Sequence, residues 1–172
     1  MFSNPNITFV KNINFPGGIL VESRLDYYTI APGAAKIMME FEKYIRSTNL
    51  DSTLLELVKT RASQINGCAF CLDMHTKDAR ANGETEQRLY GLNAWRETDY
   101  YSDKERAALA LTEAITEISV KNVPDELYQK VRERFNEKDF VDLVYAIITI
   151  NSWNRLAITM RAVPGTYQPK AR

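Results

Sequence analysis

Apolar residues recur at helical spacing over most of the chain, and short turn signals cut that pattern into segments. Gly33 to Ser47 places Ile37, Phe41 and Tyr44 at helical spacing. Asp51 is a natural N-cap for a helix over Ser52 to Ile65, with Leu54, Leu55, Leu57, Val58 and Ala62 as its apolar face. Asn66-Gly67 interrupts that helix as a C-terminus would. A further helix is expected from about Cys68 to Ala81, closed by Asn82-Gly83, and a short one from Thr85 to about Ala94. Ser102 to Glu105 has the form of a capping box ahead of a helix over Ala107 to Ser119. Pro124 suits the first turn of the next helix, to about Phe135.

The last predicted helix opens at Asn136 or at Lys138-Asp139 and runs to about Met160, with Pro164-Gly165 ending it. It carries Phe140, Val141, Val144, Ile147, Ile148, Ile150, Trp153, Leu156 and Ile158. Being apolar on most sides, it belongs at the centre of the domain or in a subunit interface. No alternating strand series rivals the helices, so the expected class is all-α. With 172 residues and no linker, one domain with a sizeable core is expected, over residues 25–172. Residues 1–24, with four asparagines and a turn at Pro16 to Gly18, read as an extended arm.

Charge narrows the list of partners. The chain has 22 basic and 22 acidic residues, interspersed, with no basic patch or tail. Nucleic acid and anionic membrane surfaces are therefore poor partners. No apolar run approaches the ~20 residues needed to cross a bilayer. The first fifteen residues lack the basic start, apolar block and small-residue cleavage site of a signal peptide, so the cytoplasm is the expected compartment. A structural disulfide is not expected there, yet the chain's only two cysteines, Cys68 and Cys71, stand three residues apart.

On a helix, Cys68 and Cys71 (i, i+3) and Cys71 and His75 (i, i+4) are neighbours, and the three side chains fall within about 60° of one face. Cys68 falls in the first turn, where free backbone N–H groups and the helix dipole favour a thiolate. Glu56 would lie about 18 Å from Cys68 on a continuous helix. If the chain reverses at Asn66-Gly67, Glu56 lies roughly 15 Å back along one helix and His75 roughly 10 to 12 Å along the next. Those levels nearly match, so Glu56 can orient His75, which faces Cys71. Carboxylate, imidazole and thiol in series is an arrangement that activates a nucleophile. Two other readings compete: a pair of buried cysteines packing as small hydrophobes, and a zinc site drawn from Cys68, Cys71, His75 and Glu56. The aromatics Tyr27, Tyr28, Phe70, Tyr90, Trp95 and Trp153 read as core or interface.

The motif Glu-x11-Cys-x2-Cys-x3-His, filled by Glu56, Cys68, Cys71 and His75, resembles that of the AhpD-like alkylhydroperoxidases of the carboxymuconolactone decarboxylase superfamily. The resemblance runs from about Leu25 to Gly165 and includes the stretch after Glu56, the Ser102–Thr116 segment and INSWNRLAI. It implies a thiol-dependent peroxidase that needs no bound cofactor or metal. Cys71 would attack the peroxide, Cys68 would resolve the sulfenic acid to a disulfide, and Glu56 and His75 would relay protons. A dithiol or redoxin, dihydrolipoamide among the candidates, would restore the thiols. The resemblance also implies a homo-oligomer, a trimer or a hexamer. Spacing alone leaves the reacting thiol open, because the helix start favours Cys68 and the contact with His75 favours Cys71; the resemblance decides for Cys71. In one departure, some peroxidases of the family carry a second histidine where this chain has Phe70. Two alternatives are a thiol-disulfide exchange or redox-sensing protein, and a lactone decarboxylase of the wider superfamily. Those decarboxylases generally lack the cysteine pair.

Overall fold

A computed structural model of the chain describes residues 22–169. The fold is all-helical, and no strand occurs among the described residues. Its helices are α1 (Tyr27–Ile30), α2 (Pro32–Arg46), α3 (Ser52–Asn66), α4 (Ala69–Ala81), α5 (Glu86–Gly91), α6 (Asp103–Thr116), α7 (Ile118–Lys121), α8 (Asp125–Arg132) and α9 (Glu137–Met160). A 3₁₀ segment, Leu92–Glu97, continues α5. None of these helices is long and apolar enough to cross a membrane.

The caps account for most of the boundaries. The Asp51 carboxylate accepts from Leu54 N–H, and Ser102 with Glu105 forms the expected capping box. Asn136 caps α9. Pro124 sits one position earlier than expected, as the N-cap of α8. The single helix expected over Ala107 to Ser119 is broken at Glu117, whose backbone leaves the helical region, so α7 is a separate turn. Of the extended arm expected over residues 1–24, residues 1–21 lie outside the described residues. Ser23 and Arg24 hydrogen-bond to the end of α9 through the Met160 and Thr159 carbonyls.

α3 is the hub. It packs against α4, α6 and α9, and different sides of it enter three apolar clusters. Leu54, Leu55 and Val58 join Ile45, Leu111, Phe135, Leu143 and Ile147. Leu57 meets Leu89, Leu92, Trp95 and Leu109. Ala62 packs with Cys68, Cys71, Ile150 and Ala157. α9 is central as its composition predicted, touching α2, α3, α4, α6 and α8.

The reversal between α3 and α4 has a local cause. Gly67 adopts a left-handed conformation (φ 70°), and its N–H donates to Gln64 O while Cys68 N–H reaches back to Ser63 O at 3.0 Å. This is a Schellman motif, which satisfies the last carbonyls of α3 and turns the chain. Asn66 anchors the turn to α9: its Nδ2 donates to Asn151 Oδ1 and to Asn154 Oδ1, both at 2.9 Å. Asn154, wholly buried, donates in turn to Ser63 Oγ.

Gly67→Ala tests the turn. Open space surrounds the position, so the added methyl meets no clash and only the left-handed backbone is penalised. The variant is expected to lose about 1 kcal/mol of unfolding free energy in urea titration, with an unchanged m-value.

Candidate active site

The turn places Glu56, on α3, against His75, on α4: His75 Nδ1 and Glu56 Oε2 are 2.8 Å apart. His75 is 5% exposed, and the Glu56 side chain is nearly as enclosed. Cys68 and Cys71 begin the same helix, both 1% exposed, and are joined as a disulfide with Cα atoms 5.3 Å apart. Cys68 is not inside the first turn, as expected, but one residue before it. It is the N-cap of α4, and its Sγ accepts from Cys71 N–H at 3.3 Å. A sulfur there takes up a free amide donor at the positive end of the helix, which favours the thiolate once the pair is reduced. Phe70 and Trp153 pack against the cysteine cluster.

Two further charged groups close the site from α2 and α3. Lys59 is 2% exposed; its ammonium donates to Glu42 Oε2 at 3.1 Å and lies 3.9 Å from Glu56 Oε1. Burial alone would lower the Lys59 pKa, but Glu42 and Glu56 outweigh it and hold it above the ordinary lysine value. Burial alone would raise the Glu56 carboxyl. His75 and Lys59, with Arg46 further off, reverse this and hold it below the ordinary glutamate value. Glu56 is therefore an anion over the physiological range, suited to fix the imidazole tautomer and to stabilise its protonated form.

Asp78, one turn beyond His75, completes the cluster. One donor atom each of Glu56, His75 and Asp78 lie within 4.8 Å of one another. Neither sulfur belongs to this group; the two sulfurs are bonded to each other. The Glu56 carboxylate faces Lys59 and His75 Nδ1, and the Asp78 carboxylate accepts from Tyr167.

The segment after α9 folds back over α4. Asp73 accepts from Gly165 N–H and from Lys77, and Lys77 also donates to Tyr167 O. Tyr167 OH donates to Asp78 Oδ1 at 2.7 Å and Oδ2 at 2.9 Å.

Lys59, Glu42, Asp78 and Tyr167 were not singled out from sequence. Lys59 carries a signal, being a charge among Leu55, Val58 and Ala62 on an apolar face. Asp78 also carries one, at i+3 from His75 and i+7 from Cys71. Tyr167 carries none, lying past the Pro164-Gly165 break.

The pattern of the Carboxymuconolactone decarboxylase family matches residues 32–114. The uncharacterized protein YdfG of Bacillus subtilis (strain 168) is 57% identical over 140 residues, 81% of this chain and 95% of its own. The chain belongs to the carboxymuconolactone decarboxylase family. Among solved structures, an Agrobacterium tumefaciens protein of unknown function, provisionally assigned to antioxidant defence as AhpD, is 38% identical. It superposes with a TM-score of 0.81 over 84% of this chain and 99% of its own. The debrominase Bmp8 shares the fold at 19% identity, with a TM-score of 0.72 over 80% of this chain and 74% of its own. The chain is thus an AhpD-like member of the superfamily, with the helical fold expected from its sequence.

Glu56 also makes the site sensitive to acid. Its pKa is depressed in the folded protein, so it contributes stability that is present above the unfolded value of about 4.3 and lost as pH falls through the folded value. Glu56→Gln is expected to cost about 1 to 3 kcal/mol at neutral pH, by leaving Lys59 and His75 short of a counter-charge. Urea titrations of both proteins at descending pH should show that difference shrinking below about pH 4.

Proposed function

We propose that this protein is a thiol-dependent peroxidase that reduces alkyl hydroperoxides. One observation carries the reading: a closed Cys68–Cys71 disulfide begins the helix that holds His75, whose imidazole is hydrogen-bonded to the half-buried Glu56. In the reduced protein the Cys71 thiol gives its proton to His75. The Cys71 thiolate attacks one peroxide oxygen, the O–O bond breaks, and the departing alkoxide takes the proton from His75 and leaves as the alcohol. Cys71 is now a sulfenic acid. Cys68 gives its proton to water and, as thiolate, attacks that sulfur; the S–O bond breaks, the leaving hydroxide takes up a proton from water, and the disulfide closes. A dithiol reopens it by two exchanges and is itself oxidised to a disulfide.

The N-cap place of Cys68 agrees with the resolving role, because a thiolate stabilised at a helix start is both available to close the disulfide and a good leaving group when it is reopened. Burial of both cysteines favours a small oxidant and a slender dithiol, dihydrolipoamide in type, over direct attack by a protein thiol. Oligomerisation fits the exposed apolar residues Ile37 and Tyr44 of α2 and Val141, Tyr145 and Ile148 of α9, two helices that pack against each other. A trimer or hexamer and a reducing, cytoplasmic setting complete the proposal.

The same N-cap geometry favours a second reading, a thiol-disulfide exchange or redox-sensing protein with little turnover of peroxide. Reduced protein mixed with cumene or tert-butyl hydroperoxide separates the two. The peroxidase is expected to consume peroxide under dithiol supply, with Cys71→Ser abolishing consumption. Cys68→Ser should allow one stoichiometric oxidation and then stop. Peroxide that persists while the wild type still exchanges disulfides would favour the second reading.

A further inference from the structure

We propose that Asp78, held by Tyr167, is a positioning residue that stabilises the proton His75 receives and so sets how readily the neighbouring thiol gives it up. The inference rests on the peroxidase reading for its choice of Cys71 as that thiol.

Glu56 alone would suffice to orient the imidazole through Nδ1. Yet a second carboxylate, Asp78, stands within 4.8 Å of the same two groups; Tyr167 donates to it, and Arg46 is the guanidinium that acts on it. Two carboxylates beside one imidazole are tolerable when the imidazole is protonated and costly when it is neutral. An imidazolium one helical turn from Cys71 favours the thiolate, and the proton passes from sulfur to nitrogen with no net change of charge. Asp78 is closer along the helix to His75 than to Cys71, so its attraction for the imidazolium outweighs its repulsion of the thiolate.

The groups facing Asp78 divide by sign. α3 supplies Glu56; α2 supplies Arg46; α4 itself supplies His75; the C-terminal segment supplies Tyr167. From α9, the side chains that reach the cysteines are Ile150, Trp153 and Ala157, which carry no charge. Burial raises the Asp78 carboxyl; the Tyr167 hydrogen bond opposes this, Glu56 adds to it, and the result lies above the ordinary aspartate value. The Tyr167 phenol, pushed up by burial and by Asp78, remains a donor throughout the working range. Its role is to keep the Asp78 charge in place, and it links the final segment of the chain to the chemistry at the start of α4.

The test needs no peroxide. In a Cys68→Ser background, thiolate formation at Cys71 is followed against pH by ultraviolet difference absorbance, with alkylation by iodoacetamide as a second readout. Asp78→Asn is expected to lower the thiolate fraction near neutral pH by up to about tenfold and to move its midpoint up by about one unit, the lower end of the shift a charge at this range produces. Tyr167→Phe, which leaves the carboxyl in place, is expected to move it the same way by less, and it serves if Asp78→Asn folds poorly. The decisive arm adds His75→Gln. Without the imidazole, removing a nearby anion can only ease ionisation of the thiol, so Asp78→Asn should then move the midpoint down or leave it unmoved. An upward shift of the same size with and without His75, or no shift with His75 present, would overturn the proposal. If the His75-dependent titration instead belongs to Cys68, in Cys71→Ser protein, the assignment of the reacting thiol fails while the role of Asp78 stands.

Discussion

Everything at the site depends on one reversal of the chain. α3 and α4 are antiparallel because Gly67 can adopt a left-handed backbone and close a Schellman turn, and because Asn66 ties that turn to Asn151 and Asn154 on α9. The reversal fixes two levels at once. It sets Cys68 at the start of α4, where the free amides of the first turn point at sulfur. It also brings Glu56 level with His75, two turns further along. A shift of one residue at the turn would rotate α4 by about 100° and swing His75 and the cysteines off the face they share. The buried asparagines are costly to enclose and carry no chemistry of their own, but they make that shift expensive.

The charges at the site are also part of the core. Glu42, Lys59, Glu56 and His75 form a continuous buried chain between α2, α3 and α4. Such a chain adds little net stability over well-packed apolar residues, but removing one member strands the others. That asymmetry gives the imidazole a defined place and a defined counter-charge. It also restricts water near the sulfurs, which strengthens each electrostatic influence on them.

The legible part of this structure was the part governed by local rules. The N-caps at Asp51 and Asn136, the Ser102–Glu105 box and the stop at Asn66-Gly67 follow from side chains acting on backbone within four residues, so α3, α4 and α9 could be placed nearly to the residue and the cap of α6 could be found. The pairing of Glu56 with His75 could be found because the turn is short and the rise per residue is fixed. What sequence could not supply were contacts between distant segments. Lys59 reads as an anomaly on an apolar face until α2 brings Glu42 to it, and Tyr167 has no meaning until the segment after α9 folds over α4. The break at Glu117 was missed for a similar reason: no glycine or proline marks it.

The two sulfurs are chemically unequal, and the inequality gives the proposed cycle its direction. Cys68 Sγ accepts from the backbone amide at the start of α4, a contact that does not depend on the side chains nearby. Cys71 lies one turn from His75, whose imidazole is held by Glu56. A thiol that must accept an oxygen and then be attacked benefits from a base that first takes its proton and then returns it to the leaving group. A thiol that must attack, and later leave, benefits from a charge that is already stabilised. Exchanging the roles would put the proton shuttle beside the sulfur that does not need one. The helix start and the imidazole, which appear to compete when each is read as marking a single nucleophile, are compatible once each is assigned to a different step.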